Sequence, residues 1–127
     1  MGEEGKPKVL IADDEPDIVY VLSEVLSDEG YDTITAADGE ETLRKAKEYK
    51  PDIILLDIMM PKMDGYSVNV QLKSQPETKD IPVIVITGRG QLKELFDMNE
   101  KAPIDDFLEK PFPVKELLER MDRLLKR

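Results

Sequence analysis

The chain has 127 residues, enough for one domain with a real core, and carries 28 acidic against 18 basic side chains for a net charge of −10. It contains neither cysteine nor histidine, which excludes disulfides, thiolate zinc sites, cysteine nucleophiles and every imidazole role. The negative charge argues against nucleic acid or an anionic membrane surface as a direct partner, and no apolar stretch approaches the roughly 20 residues of a membrane span.

Residues 1–7 mix acids, glycine and lysine without an apolar core. They read as a mobile lead-in rather than a secretory signal, so the expected location is cytoplasmic and the domain is expected to occupy residues 8–127. Strand one is expected from Val9 to Ala12, ending at Asp13-Asp14. Glu15-Pro16-Asp17 opens a helix, with proline early and acids where the macrodipole favours them. Ile18, Val19, Leu22, Val25 and Leu26 supply its apolar stripe, and Gly30 ends it. Tyr31 to Ala36 alternates in character and reads as an edge strand.

Asp38-Gly39 turns into a helix over Glu40 to Lys47, and Lys50-Pro51 breaks the chain before a third strand, Asp52 to Leu56. That strand runs straight into Asp57. Pro61 to Gly65 reads as loop, Tyr66 to Ser74 as helix, and Gln75 to Asp80 as linker. A fourth strand, Pro82 to Ile86, stops at Thr87-Gly88. Gln91 to Met98 is helical by the spacing of Leu92, Leu95 and Phe96. Asp106 to Glu109 forms a fifth strand ending at Lys110-Pro111. Val114, Leu117, Leu118, Met121, Leu124 and Leu125 line one face of a last helix.

Continuous Ile/Val/Leu runs suit strands buried on both faces, as in a parallel sheet covered by helices. Alternation of strands and helices then gives a doubly wound α/β domain, whose ligand lies beyond the carboxyl ends of the strands. Those ends carry Asp13, Asp14, Asp57, Thr87 and Lys110. Asp13 or Asp14 alone is explained by a helix N-cap, Thr87 by strand propensity and Lys110 by surface solvation. Together they have another meaning. Two carboxylates 4 Å apart repel by about 4 kcal/mol at an effective dielectric of 20, and a hard divalent cation with oxygen ligands removes that cost. A carboxylate such as Asp57 in reach of the cation can attack a phosphoryl donor. Thr87, the backbone N–H of Gly88 and Lys110 suit the phosphoryl oxygens.

The ordered set Asp13-Asp14-Glu15, Asp57 to Gly65, Ile86-Thr87-Gly88 and Asp106 to Phe112 resembles the receiver domain of bacterial two-component response regulators, from Lys8 to the end of the chain. The resemblance implies a five-stranded parallel sheet of order 2-1-3-4-5, a flavodoxin-like three-layer sandwich. It implies Asp57 as phosphoacceptor, and Mg2+ on Asp13, Asp14, Asp57 and the backbone carbonyl of Met59. Thr87, Gly88 and Lys110 would bind the phosphoryl group, Thr87 and Phe107 would form the switch, and the Lys110-Pro111 bond would be cis. The implied donor is a sensor histidine kinase or a histidine phosphotransfer protein. The output would be a partner protein held on the face of helix 4, strand 5 and helix 5, with a phosphorylation-dependent dimer as one form. Such a domain is no enzyme beyond its own phosphorylation and slow autodephosphorylation.

Four features depart from the family pattern. Pro103-Ile104 stands where Gly-Ala is usual, and the span from Thr87 to Lys110 is one residue longer, so helix 4 is expected to end early or be irregular, near Asn99 to Lys101. Phe107 lacks the hydroxyl of the commoner tyrosine. Met59 and Arg89 flank the phosphoryl position, and Met59 offers no group to orient an attacking water, so a long-lived phosphoryl group is expected. The expected form is a stand-alone, single-domain receiver of the chemotaxis type; the alternatives are a receiver excised from a larger regulator or hybrid kinase and a degenerate module that binds constitutively. A haloacid dehalogenase-type phosphatase needs a second aspartate at position 59, which is methionine, and a flavin carrier needs a phosphate loop where Asp13-Asp14-Glu15 stands.

Overall fold

The computed structural model describes residues 5–88, 90–98 and 100–126. The readings of Arg89 beside the phosphoryl position, of Leu95 on its helix stripe, of Asn99 at a helix end and of residues 1–4 in the lead-in lie outside what is described. The strands are β1 (Lys8–Ala12), β2 (Asp32–Ala36), β3 (Ile53–Asp57), β4 (Val83–Thr87) and β5 (Asp106–Glu109). They pair in parallel in one sheet of order β2-β1-β3-β4-β5. The helices are α1 (Pro16–Asp28), α2 (Gly39–Tyr49), α3 (Gly65–Lys73), α4 (Lys93–Asp97) and α5 (Val114–Leu125).

The period-2 geometry of strands sorts their apolar residues into two cores. Val9, Ile11, Ile53, Leu55, Ile84 and Ile86 face α1 and α5, meeting Leu22, Leu26, Leu117 and Met121. Leu10, Ala12, Ile54, Leu56, Val83 and Val85 face the other way, meeting Ala46 of α2, Val68 and Leu72 of α3, and Phe96 of α4. The apolar residues of β1, β3 and β4 from Val9 to Ala12, Ile53 to Leu56 and Val83 to Ile86 are fully buried, as continuous apolar runs require. β2 is an edge with only Ala36 buried, matching its alternating sequence.

Local chemistry sets the helix ends. Asp38 accepts from the Glu41 backbone N–H at 2.8 Å while Glu41 accepts from the Ala37 N–H at 2.7 Å, a reciprocal cap that starts α2. Asp64 caps α3 through Ser67 N–H. Gly30 closes α1 with φ +93°, and the Tyr31 N–H returns to the Leu26 carbonyl. Gly65, read as loop, is the first residue of α3, and Asp57, read as following a strand, is the last residue of β3.

The segment read as one helix from Gln91 to Met98 is shorter and begins differently. A 3-10 turn covers Gly90–Leu92 and only Lys93–Asp97 is α-helical, so the helix does end early. Phe96 anchors it by meeting Tyr66 of α3 edge-to-face at 5.4 Å. The Pro103 segment that follows is fastened from α3. Asn69, fully buried, donates from Nδ2 to the carbonyls of Ala102 at 2.8 Å and Pro103 at 3.3 Å. Its Oδ1 has no partner. Asn69→Ala removes the donor of the buried Ala102 carbonyl and the partly buried Pro103 carbonyl and leaves a cavity, and the expected loss is about 2–3 kcal/mol. Urea titration checks this; a change below about 0.5 kcal/mol would place Asn69 among inconsequential surface positions.

Candidate functional site

The carboxyl ends of β1, β3 and β4 and the turn after β5 meet at one rim, because the parallel register brings Ala12 beside Leu56 and Asp57 beside Ile86. Asp13 follows β1 and is 1% exposed; Asp57 ends β3 and is 3% exposed; Asp14 is exposed beside them. One oxygen from each of these three carboxylates lies within 4.8 Å of the others. Lys110 enters from the opposite side of the primary structure. Its Nζ donates to Asp13 Oδ2 at 2.7 Å, Glu15 Oε1 at 2.9 Å and Asp57 Oδ2 at 3.3 Å. The Lys110 N–H donates to the Thr87 carbonyl at 2.7 Å, and the Lys110-Pro111 bond is cis.

The remaining carboxylate oxygens are tied to backbone. Asp57 Oδ1 accepts from Met59 N–H at 3.2 Å, and Asp13 Oδ1 accepts from Glu15 N–H at 2.9 Å. The N-cap reading of Asp13 is corrected: Glu15 is the N-cap of α1, without a side-chain cap bond, and Asp13 closes a turn onto the Glu15 N–H with one oxygen while the other serves the lysine. Asp14, Glu15, Asp57, Met59, Thr87, Gly88 and Lys110 line a cleft of about 410 Å³. Thr87 is fully buried at its wall, and Met59 is half exposed at its mouth. Nothing lies within 4 Å of where a Gly88 Cβ would point.

The charge is unbalanced. Three carboxylates, those of Asp13, Glu15 and Asp57, hold one ammonium, and a fourth, Asp14, lies close to those of Asp13 and Asp57. Burial, reinforced by the Asp13 charge, pushes the Asp57 carboxyl from 3.8 up to about 6 despite Lys110 beside it. Burial pulls Lys110 down, but its hydrogen bonds to Asp13 and Glu15 outweigh this and hold it well above the usual lysine value. Surplus negative charge with an all-oxygen donor set fits a hard divalent cation, so the acidic cluster is compatible with Mg2+.

Phe107 lies opposite Val85 in the register, two residues before Thr87's own neighbour Glu109. Val85, Thr87 and Phe107 therefore share the sheet face toward α2, α3 and α4. Phe107 is partly buried there against the core. Glu15 is the functional residue the sequence reading missed. It was assigned only to the helix start and to the acidic run after strand one, yet it is the N-cap of α1 and an ion-pair partner of Lys110 at 2.9 Å. The available signal was a run of three acids at a strand end facing one lysine.

Similarity to known proteins agrees with this geometry. Solved structures that align include the response regulator TrrA of Thermotoga maritima in complex with Mg2+-BeF, 34% identical with a TM-score of 0.83 over 93% of this chain and 98% of that one. A receiver domain of a Pseudomonas aeruginosa sensor histidine kinase, with a magnesium ion coordinated in its active-site cleft, aligns at 28% identity and a TM-score of 0.85, covering 97% of this chain and 100% of that one. Among curated relatives, the DNA-binding dual master transcriptional regulator RpaA of Synechocystis is 40% identical over 121 residues, covering 95% of this chain and 50% of the relative. The alkaline phosphatase synthesis transcriptional regulatory protein PhoP of Bacillus subtilis is 42% identical over 122 residues, covering 94% and 49%. The chain spans about half the length of these curated relatives. Residues 9–122 match the response regulator receiver domain model, and the rim of carboxylates facing Lys110 has a place in a chain that belongs to that family.

Proposed function

We propose that residues 8–127 form a phosphoacceptor switch in which Asp57 receives a phosphoryl group. The observation that carries this reading is Asp57 itself: a nearly buried carboxylate, 3.3 Å from the Lys110 ammonium and open to a cleft large enough for a phosphoryl group. Asp13, Asp14, Asp57 and the Met59 carbonyl would hold Mg2+, which would neutralise the repulsion between the carboxylates and an anionic donor. Lys110, the Thr87 hydroxyl and the Gly88 N–H would bind the phosphoryl oxygens.

The output follows from shared packing. Attraction of Thr87 toward the phosphoryl group would open space on the face where Phe107 sits, and Phe107 would turn inward. Phosphate shifts this equilibrium only by its differential affinity for the two arrangements. The α4, β5 and α5 surface would then engage an output protein or a second copy of the chain. The donor would be a phosphohistidine on a sensor kinase or phosphotransfer protein. An apolar groove of about 490 Å³ between α1 and the start of α5, lined by Ile18, Val21, Leu22 and Phe112, adjoins Lys110 and supports a protein donor. Phosphohistidine is made from ATP, which places the reading in the cytoplasm. Among the described residues no helix is long and apolar enough to cross a membrane.

Incubation with acetyl phosphate and Mg2+, followed by intact-mass spectrometry, tests the reading. One added phosphoryl group is expected, absent in Asp57→Asn; its persistence in that variant would move the acceptor elsewhere. Because Met59 is half exposed at the cleft mouth without a polar group to orient water, the modified chain should outlast minutes in Mg2+ buffer. A half-life of seconds would refute that part.

A further inference from the structure

We propose that Glu15 is a positioning residue that occupies one donor of the Lys110 ammonium at rest and yields it to the incoming phosphoryl oxygen. The proposal rests on the reading of Asp57 as phosphoacceptor. An ammonium has three N–H donors, and here Asp13, Glu15 and Asp57 take all of them. A phosphoryl oxygen can bind Lys110 only by replacing one. Asp13 is a poor candidate for release, because its side chain is fully buried and its contact with Lys110, 2.7 Å, is the shortest of the three. The contact to Asp57 is long, 3.3 Å, and the charge that makes it is consumed only as the bond to phosphorus forms, too late to free the ammonium for the arriving donor. The Glu15 side chain is 58% exposed, so water takes over its solvation when the contact breaks.

Glu15 is therefore the exchangeable ligand of the lysine, and its grip sets a threshold against the donor. In the transfer from acetyl phosphate, a carboxylate oxygen of Asp57 bonds to phosphorus. The bond from phosphorus to the acetyl oxygen breaks, and acetate leaves with that electron pair. No proton changes place. The contact between Lys110 and Glu15 is exchanged for one between Lys110 and a phosphoryl oxygen.

The test is the second-order rate of phosphorylation by acetyl phosphate in Mg2+ buffer, read by intact mass. Glu15→Gln keeps the shape and removes the charge, and the expected gain is about 2- to 5-fold, the scale of a partly exposed ion pair. Glu15→Asp keeps the charge but shortens the reach by one methylene, about 1.5 Å. It should show most of the same gain, whereas a rate equal to wild type would assign the effect to the field of the cleft and overturn the holding role. In a Lys110→Ala background, Glu15→Gln should leave the slow residual rate unchanged. A gain as large as that in the wild-type background would also overturn the proposal, since the effect would not pass through the lysine. Thermal melting of each variant verifies folding. A wild-type chain that takes up no phosphoryl group overturns both readings, while normal wild-type uptake with no change in Glu15→Gln overturns this one alone.

Discussion

In Mg2+-free buffer at pH 7.5, Asp57→Asn melts above the wild type by roughly 5–10 °C, and at pH 4 the two melt together. The cause is the unbalanced charge at the rim. Burial and the Asp13 carboxylate raise the Asp57 pKa to about 6 from 3.8. A carboxyl whose folded value lies above its unfolded value stabilises the fold in its protonated form. That contribution is complete below the unfolded value and disappears as pH rises through about 6. At neutral pH the folded chain therefore holds an ion that it would prefer to hold neutral. The shift of about two units corresponds to about 2–3 kcal/mol. Asparagine is close in shape to the protonated acid and has no charge to desolvate, so the variant escapes the loss. The pairing of Asp57 with Lys110 is already contained in that net shift and does not alter the sign. A divalent cation reverses the comparison. Ligand at about 100 times its dissociation constant stabilises a folded state by about 2.7 kcal/mol, and the variant lacks one of the three carboxylates that would bind it. Melting curves at pH 4 and 7.5, with EDTA and with Mg2+, carry the test. Equal melting temperatures at pH 7.5 in EDTA would show that Asp57 is not strained by its neighbours.

How far the sequence reveals this molecule depends on whether the relevant physics is local or distant. The strands were legible because their burial on both faces leaves a continuous apolar run, and the site was legible because each run stops at a residue that cannot be buried alone. Asp57 illustrates this: no turn residue separates it from Leu56, and it ends β3 nearly buried at the rim of the sheet. The strand order required the resemblance, since register is set by packing among elements far apart in the chain. Glu15 was hidden because a sufficient local explanation already existed, an acid at a helix start, and its partner is Lys110, 95 residues away. Asn69 gave no signal at all. A polar residue within a helix is ordinarily solvated, and its acceptors are carbonyls, which every residue possesses. The 3-10 start of the fourth helix was missed because the i, i+3 spacing of Leu92 and Leu95 in the sequence suits either geometry over a single turn. The shortening of that helix was visible in the extra residue and in Pro103, which marked the interval as irregular without saying how it is fastened.

Gly65→Ala should be the most damaging single-methyl change at the site. The first residue of α3 lies directly against the end of β3, and its N–H donates to the Ile58 carbonyl at 2.8 Å. A Cβ at this position would come within 2.7 Å of Ile58 Cα and nearer still to the Asp57 carbonyl oxygen. Both are backbone atoms, so no side-chain rotation relieves the overlap. Either α3 lifts off the sheet, opening the core around Val68 and Leu72, or the end of β3 is displaced. The expected loss is about 3 kcal/mol or more, at the upper end for overpacking. The second consequence is chemical. Asp57 is fixed by its contacts to Met59 N–H at 3.2 Å and Lys110 at 3.3 Å, and a displacement of about 1 Å at a reacting group can cost on the order of 100-fold in rate. Glycine is needed here for space rather than for backbone freedom, since Gly65 is not among the positive-φ glycines. Gly88 provides the contrast: a Cβ there meets nothing within 4 Å, so Gly88→Ala should leave the unfolding midpoint within about 0.5 kcal/mol of wild type. Urea titration of both variants, with the rate of acetyl phosphate uptake measured for Gly65→Ala, tests the argument. A Gly65→Ala chain as stable as Gly88→Ala and phosphorylated at the wild-type rate would mean that α3 does not press on the backbone of the acceptor aspartate.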